Sequence, residues 1–213
     1  MPRGVYFSFH YDDVIGFRVN VVRQSRALKN LGHETTFIDR SLWEEARKKS
    51  ANALIKVIDE GMKGSGVTAV LIGPKTYERR WVRYEIVKSF AEGKGVLPVH
   101  INRIRGQDKK IVGKGKNPLD YLKLSISEDG TEILFFQLKN RKWVPFKDFP
   151  SIGNRKKNSF HFEDSGMLWW KKSYKGKSFK FSELYRSPIC WVNDDGYNNF
   201  PNWVEAAASK VGR

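Results

Sequence analysis

The sequence predicts an α/β fold, a parallel β-sheet with helices on both faces, followed by a β-rich extension. Two observations carry that expectation. Short apolar, partly β-branched runs at residues 5–9, 34–38, 67–72 and 96–101 alternate with amphipathic stretches, and a strand–helix alternation of this kind builds a parallel sheet covered on both sides. After residue 102 the pattern changes to a Gly- and Lys-rich loop and then to closely spaced strand signals. A chain of 213 residues is long enough for one full α/β core with a smaller layer added, and needs no disulfide staples. We expect residues 1–122 to form the α/β domain and residues 123–213 an extension of hairpin, basic aromatic insertion and terminal helix packed on the same core.

The first strand, residues 5–9, alternates aromatic and small side chains and runs into His10-Tyr11-Asp12-Asp13, a polar loop where ligands gather in α/β sheets. Residues 14–31 carry Val14, Phe17, Val21, Val22, Leu28 and Leu31 at helical spacings, with Gly32 as the stop. Residues 34–38 read as a second strand ended by Asp39. Ser41 with Glu44 forms a capping box, and Leu42, Ala46, Ala53, Leu54, Val57 and Ile58 describe one amphipathic helix reaching Gly61.

The third strand, residues 67–72, stops at Gly73-Pro74, a pair that cannot continue a ladder. A helix follows, with Thr76 as N-cap, Gly93 as C-cap, and Val82, Ile86 and Phe90 as its core-facing stripe. At 100° per residue Glu85 lies about 60° from Val82 and about 40° from Trp81, so this carboxylate borders the stripe with an indole one turn before it. Desolvation beside the aromatic wall raises its pKa, whereas Arg79, Arg80, Arg83 and Lys88 lower it. Spacing does not decide which effect wins, and on spacing alone the commoner outcome is a surface carboxylate paired with arginines.

Residues 96–101 form the fourth strand. Residues 105–116 are a mobile basic loop, residues 124–127 and 132–138 a hairpin, Trp143-Val144 a further strand, and a last helix starts after Pro201. Residues 150–181 interleave lysines with aromatics and fit no single element.

Thirty-nine Lys and Arg against 23 Asp and Glu give a formal charge of +16, a field that attracts nucleic acid, acidic lipid or a pyrophosphate alike. Much of the excess falls between Lys139 and Lys180, with twelve basic and three acidic residues. The aromatics there fit a stacking platform for single strands, but a small β layer with a lysine-rich wet face accounts for them as well, and we favour that layer over a nucleic-acid partner. No apolar run is long enough to span a membrane. The lone Cys190 forms no internal bridge, and with no signal-peptide pattern at the start we expect a cytoplasmic protein.

His10, His33, His100 and His161 are scattered, with no paired Cys/His spacing, so no metal site is expected. Gly113-Lys114-Gly115-Lys116 lacks the spacing and hydroxyl of a phosphate-binding loop. Asp12 and Asp13 bring a phosphorelay receiver to mind, but the acceptor position after the third strand is Gly73-Pro74. We read one of the two aspartates as a cap of the following helix.

The segments VYFSFHYDD, FIDRSLWEEA and GPKTYERRWVRYEI resemble the first-strand box, the segment after the second strand, and the tryptophan–glutamate helix of TIR domains. With FRVNVVRQS, KGKNPLDYL and DDGYNNFPNWV the resemblance covers nearly the whole chain and points to the TIR-like family of the bacterial Thoeris anti-phage defence system. It implies a flavodoxin-like sheet and an enzyme that takes NAD as substrate, needs no cofactor, cleaves the nicotinamide–ribose bond and makes a cyclic ADP-ribose type messenger. Glu85 falls on the catalytic glutamate's position and Trp81 on its aromatic neighbour's, with Phe9 and His10 lining the same pocket. The implied partners are a phage-derived trigger, an effector reached through the diffusible nucleotide, and further copies of the chain in self-assembly. Two departures stand out. The loop after Gly32 lacks the Arg-Asp-x-x-Pro-Gly signature of receptor TIR domains, and residues 153–180 are longer and more basic than the family pattern. A non-catalytic TIR adaptor and a nucleoside deoxyribosyltransferase remain alternatives, separable by whether NAD is consumed, as does a nucleic-acid binder using the basic second half, whose affinity would fall steeply with added salt.

Overall fold

Strand β1 (Gly4–Phe9) is buried along most of its length because its two faces enter two different cores. Tyr6 joins one, while Val5 and Phe7 join the other, as a period of two requires. The structure, a computed structural model, describes residues 4–29, 35–38, 40–154 and 174–212. Around β1 lie β2 (Thr35–Thr36), β3 (Ser65–Ile72), β4 (Gly95–His100) and, late in the chain, β10 (Ile189–Cys190), in the order β10-β4-β3-β1-β2 with every pair parallel. This is the flavodoxin-like order, whose ligands gather where β1 and β3 diverge at their carboxyl ends.

One face is covered by α4 (Arg40–Lys49), α5 (Ala51–Met62) and α6 (Arg80–Ala91), and the other by α2 (Arg18–Gln24), α3 (Arg26–Lys29) and α8 (Gly196–Ser209). The antiparallel second sheet comprises β5 (Leu122–Ile126), β6 (Glu132–Lys139), β7 (Lys142–Pro145), β8 (Ile152–Gly153) and β9 (Ser178–Lys180). With the short helix α7 (Phe181–Leu184) it packs behind α6, where Phe90 meets Phe135 and Phe181 at centroid distances of 6.0 and 5.6 Å. The chain then returns to the first sheet through β10 and α8.

Several elements differ from the sequence expectation. The helix expected over residues 14–31 is α1 (Asp12–Ile15), α2 and α3, broken at Phe17, which takes φ 68°, and at the extended Ser25. Asp12 and Asp13 lie inside the first turn of α1 and make no side-chain cap bond. Asp13 turns inward instead and sits over Gly73, where a Cβ would come 2.1 Å from its Oδ1. The second strand shortens to two residues, Gly32 and Asp39 lying outside the described residues. The single helix expected up to Gly61 is two, because Ser50 is extended and its hydroxyl accepts from the Ala53 N–H at 3.0 Å, capping α5. The Ser41 side chain lies outside the described residues.

Thr76 begins a 3-10 turn (Thr76–Glu78), and Arg79 is the N-cap of α6. Buried beneath the loop, the Thr76 hydroxyl accepts from the Gly73 N–H at 2.9 Å, which satisfies two polar groups at once. Gly93 follows the end of α6 with φ 67°, as a C-terminal glycine should. Residues 105–116 have no regular structure but are tied down: Gly115 packs on Gly73 so closely that a Cβ would lie 1.9 Å from its carbonyl oxygen. Helix α8 starts at Gly196, five residues before Pro201. Residues 155–173, the heart of the basic aromatic insertion, lie outside the described residues. No helix among the described residues is long and apolar enough to cross a membrane.

Candidate active site

A cavity of about 750 Å³ opens at the carboxyl end of β1 and is lined by Phe9, His10, Trp81 and Glu85, among others. All four residues singled out from the sequence therefore come together. Phe9 and His10 arrive because β1 ends there, level with Leu71 of β3. Trp81 and Glu85 arrive because they stand one turn apart on α6, on the side beside the Val82–Ile86–Phe90 stripe.

Glu85 is only 6% exposed and forms the floor. Its Oε1 accepts from the Tyr6 hydroxyl at 2.5 Å, and its Oε2 accepts from the Ser8 hydroxyl. Burial pushes its pKa up from 4.5 to about 7, against the lowering effect of the Ser8 and Tyr6 hydrogen bonds. The surface-carboxylate alternative is thereby excluded, for the neighbouring cations turn elsewhere. Arg80 forms two bonds to Asp148, at 2.8 and 2.6 Å. Arg83 donates to the Tyr77 carbonyl and to Gln137, and Lys88 pairs with Asp59 and Glu92.

Trp81 is half-buried, its ring edge-on to Tyr84 at 6.0 Å, with the Arg80 guanidinium 4.6 Å from its centroid. Burial and the Arg79 charge lower the His10 pKa, against the raising effect of Asp12, which favours the neutral imidazole; its Nδ1 lies 3.5 Å from an Asp12 oxygen. Phe9 tilts against Phe37 at 6.1 Å. A buried carboxylate, a neutral imidazole and aromatic walls suit a flat, positively charged group better than an anion at this end.

Sequence reasoning missed Tyr6 and Ser8, although the signal was there: hydroxyls at alternate positions of a buried strand must find partners on one face. It also missed the outer wall, formed by Asn20 and Arg23 of α2, Phe37 and Ile38 after β2, and Trp43 and Arg47 of α4. Among the described residues no group of three or more His, Cys, Asp or Glu is placed to hold a metal, and His33 and His161 fall outside them.

Comparison with known proteins agrees with this geometry. The family model described as "Thoeris protein ThsB, TIR-like domain" matches residues 6–105, which run from within β1 past the end of β4 and include Tyr6, Ser8, Phe9, His10, Trp81 and Glu85. A Bacillus cereus (strain MSX-D12) protein named "Putative cyclic ADP-D-ribose synthase ThsB1" is 41% identical over 204 residues, covering 96% of this chain and 100% of its own length. At that coverage the similarity takes in the second sheet. Sheet order, cavity position and sequence agree: the chain belongs to the Thoeris ThsB family, whose members carry a TIR-like domain.

Proposed function

We propose that this protein is an NAD-cleaving enzyme of anti-phage defence, which releases nicotinamide and closes the remaining ADP-ribose into a cyclic signalling nucleotide. The observation that carries the reading is Glu85, a carboxylate buried at the floor of a nucleotide-sized cavity and held by two hydroxyls. The name of the Bacillus cereus relative supports it, and the family's place in Thoeris defence implies a phage-derived trigger and a separate effector that reads the nucleotide.

The bond to a pyridinium is already activated, since nicotinamide leaves as a neutral base with the electron pair of the C–N bond. What the site must stabilise is the ribosyl cation left behind. Glu85 does so electrostatically, and more strongly in a water-poor cleft than in bulk. The incoming pyridinium favours the ionised form of a carboxyl whose pKa is about 7, so substrate binding itself charges the catalyst. Trp81 and Phe9 provide flat walls for nicotinamide and ribose. The lowered pKa of His10 disfavours a charge that would repel the cation. Tyr6 and Ser8 fix both carboxylate oxygens, which keeps the charge in one place. A nucleophile of the folded-back ADP-ribose then adds to the cation and loses its proton; water in its place gives the linear product. Exclusion of water thus favours the cyclic one.

The test is mass spectrometry of small molecules after incubating protein from phage-infected cells with NAD. Nicotinamide and a compound lighter than ADP-ribose by one water are expected. NAD left intact by such activated protein contradicts the proposal.

A further inference from the structure

The basic loop after β4 is a fixed part of the surface, and it carries a patch that the cleavage chemistry does not use. Between Arg103 and Lys116 stand six basic residues and a single acid, Asp108. The chain there folds back on itself: the Lys109 N–H donates to the Gly106 carbonyl at 2.9 Å and the Gly106 N–H to the Lys110 carbonyl at 3.0 Å. The Val112 N–H ties the far side to the Asn102 carbonyl at 3.0 Å. Asp108 is engaged inside the turn, its Oδ1 accepting from the Lys110 N–H at 3.0 Å.

Arg18, a buried residue at the start of α2, fastens this loop to the turn between α1 and α2. Its Nη2 donates to the Lys110 carbonyl at 3.0 Å. A Cβ at Gly106 would lie 2.9 Å from that Nη2 and 2.9 Å from the Gly16 carbonyl oxygen, so the two turns touch through their backbones. Six large apolar side chains are exposed among the described residues, and three of them lie on these two turns: Ile15 at 61%, Phe17 at 44% and Ile111 at 57%. Beside them Arg103, Arg105, Lys109 and Lys110 are exposed, with no carboxylate within ion-pair distance among the described residues. Elsewhere surface cations do pair, Arg80 with Asp148 and Lys49 with Glu45. Asp12, the acid on the α1 side, stands 3.5 Å from His10.

Charge and shape together select what fits this patch. Four unpaired cations call for a negatively charged partner, and a second copy of the same patch would be repelled. Free phosphate or a nucleic-acid backbone answers the cations but leaves three large apolar side chains in water. Side chains this far exposed stand out from the surface and do not line a groove, so they suit a fluid interface that needs no matching shape. The headgroup boundary of a bilayer with anionic lipids offers negative charge at its surface and apolar cover just beneath it. We infer that this patch docks the protein on an anionic membrane surface, with Ile15, Phe17 and Ile111 entering the headgroup region and Arg103, Arg105, Lys109 and Lys110 lying against lipid phosphates. The docking is peripheral, and it stands independently of the proposed NAD cleavage. The rigid backbone matters here, because the cations are held in place before the membrane is met and little ordering is left to oppose binding.

The experiment is co-sedimentation of the full chain with vesicles of phosphatidylcholine alone and of phosphatidylcholine with an equal part of phosphatidylglycerol. It is run on wild type, I15S/I111S and R103A/R105A/K110A, with glycerol phosphate and a DNA duplex as competitors. Every substituted side chain is exposed and the Arg18 clasp is untouched, so the variants are expected to unfold at the wild-type temperature. Should either not, I111S and R105A singly carry the same test, each with a loss of about fivefold. Wild type is expected to bind the mixed vesicles and not phosphatidylcholine alone, and each multiple variant to bind about tenfold more weakly or less. Glycerol phosphate is expected not to displace the protein. Absence of binding to the mixed vesicles overturns the inference. Binding that I15S/I111S leaves unchanged also overturns it, since the charge of the whole chain then suffices, and so does release by glycerol phosphate or preference for DNA over the mixed vesicles.

Discussion

At Glu85 two opposed forces were in play, and burial prevailed, with Arg80 and Arg83 engaged by Asp148, Tyr77 and Gln137 instead. The sign of the resulting pH dependence follows from the raised pKa. The unfolded chain releases this proton near pH 4.5 and the folded chain near pH 7, so between these values the folded state holds more protons and stability falls as pH rises. The whole shift amounts to about 3 kcal/mol. Glu85→Gln is therefore expected to stabilise the protein by up to about 3 kcal/mol above pH 7 and scarcely at all below pH 4.5, a difference that denaturant titration at two pH values reads directly. With Glu85 acting as we propose, in its ionised form, activity should rise with pH through about 7. Tyr6→Phe removes the Oε1 donor and should displace that rise to higher pH, with a loss of about 1–3 kcal/mol in stability. A pH–rate profile of the variant superimposable on wild type would exclude a role for the Tyr6 bond in setting the charge.

Among the elements, what was legible in the sequence was what periodicity controls. Strands β1 to β4 of the first sheet, the stripe of α6 and the β5–β6 hairpin were found because burial on one or both faces writes itself into the spacing, whereas the two-residue β10 is too short to leave such a pattern. Breaks within helical patterns were not found. Phe17 and Ser50 interrupt runs whose apolar spacing continues across them, and neither is a glycine or proline. The paired short helices do the same burial as one long one, so the hydrophobic pattern carries no mark of the join. At Ser50 the mark was chemical, a hydroxyl placed three residues before the N–H it caps. Ser50→Ala should cost about 1 kcal/mol, measured by thermal unfolding. The site divided along the same line. Trp81 and Glu85 were legible from helical spacing and the resemblance, whereas Arg23, Phe37, Trp43 and Arg47 converge from elements far apart in sequence, and only the folded chain brings them to one cavity.

For the molecule as a whole, α6 is the member held by both sheets. Its Tyr84 and Phe90 meet Phe149, Phe135 and Phe181 of the second layer, while its Glu85 meets Tyr6 and Ser8 of the first. The first sheet in turn is finished by residues from the end of the chain, for β10 extends its edge, and Trp191, Phe200 and Val204 are fully buried in its core. A fragment of residues 1–122 would leave that face uncovered and strip the outer side of α6. We expect it to lack a cooperative unfolding transition by circular dichroism, whereas the full chain shows one. On the mechanism we propose, these layers hold one carboxylate still beside a sugar that briefly carries positive charge. The most direct test is nicotinamide release by activated Glu85→Gln protein, a change that keeps shape and removes charge. A loss of a hundredfold or more is predicted, on the scale of removing one preorganised electrostatic group; release at the wild-type rate would contradict the account.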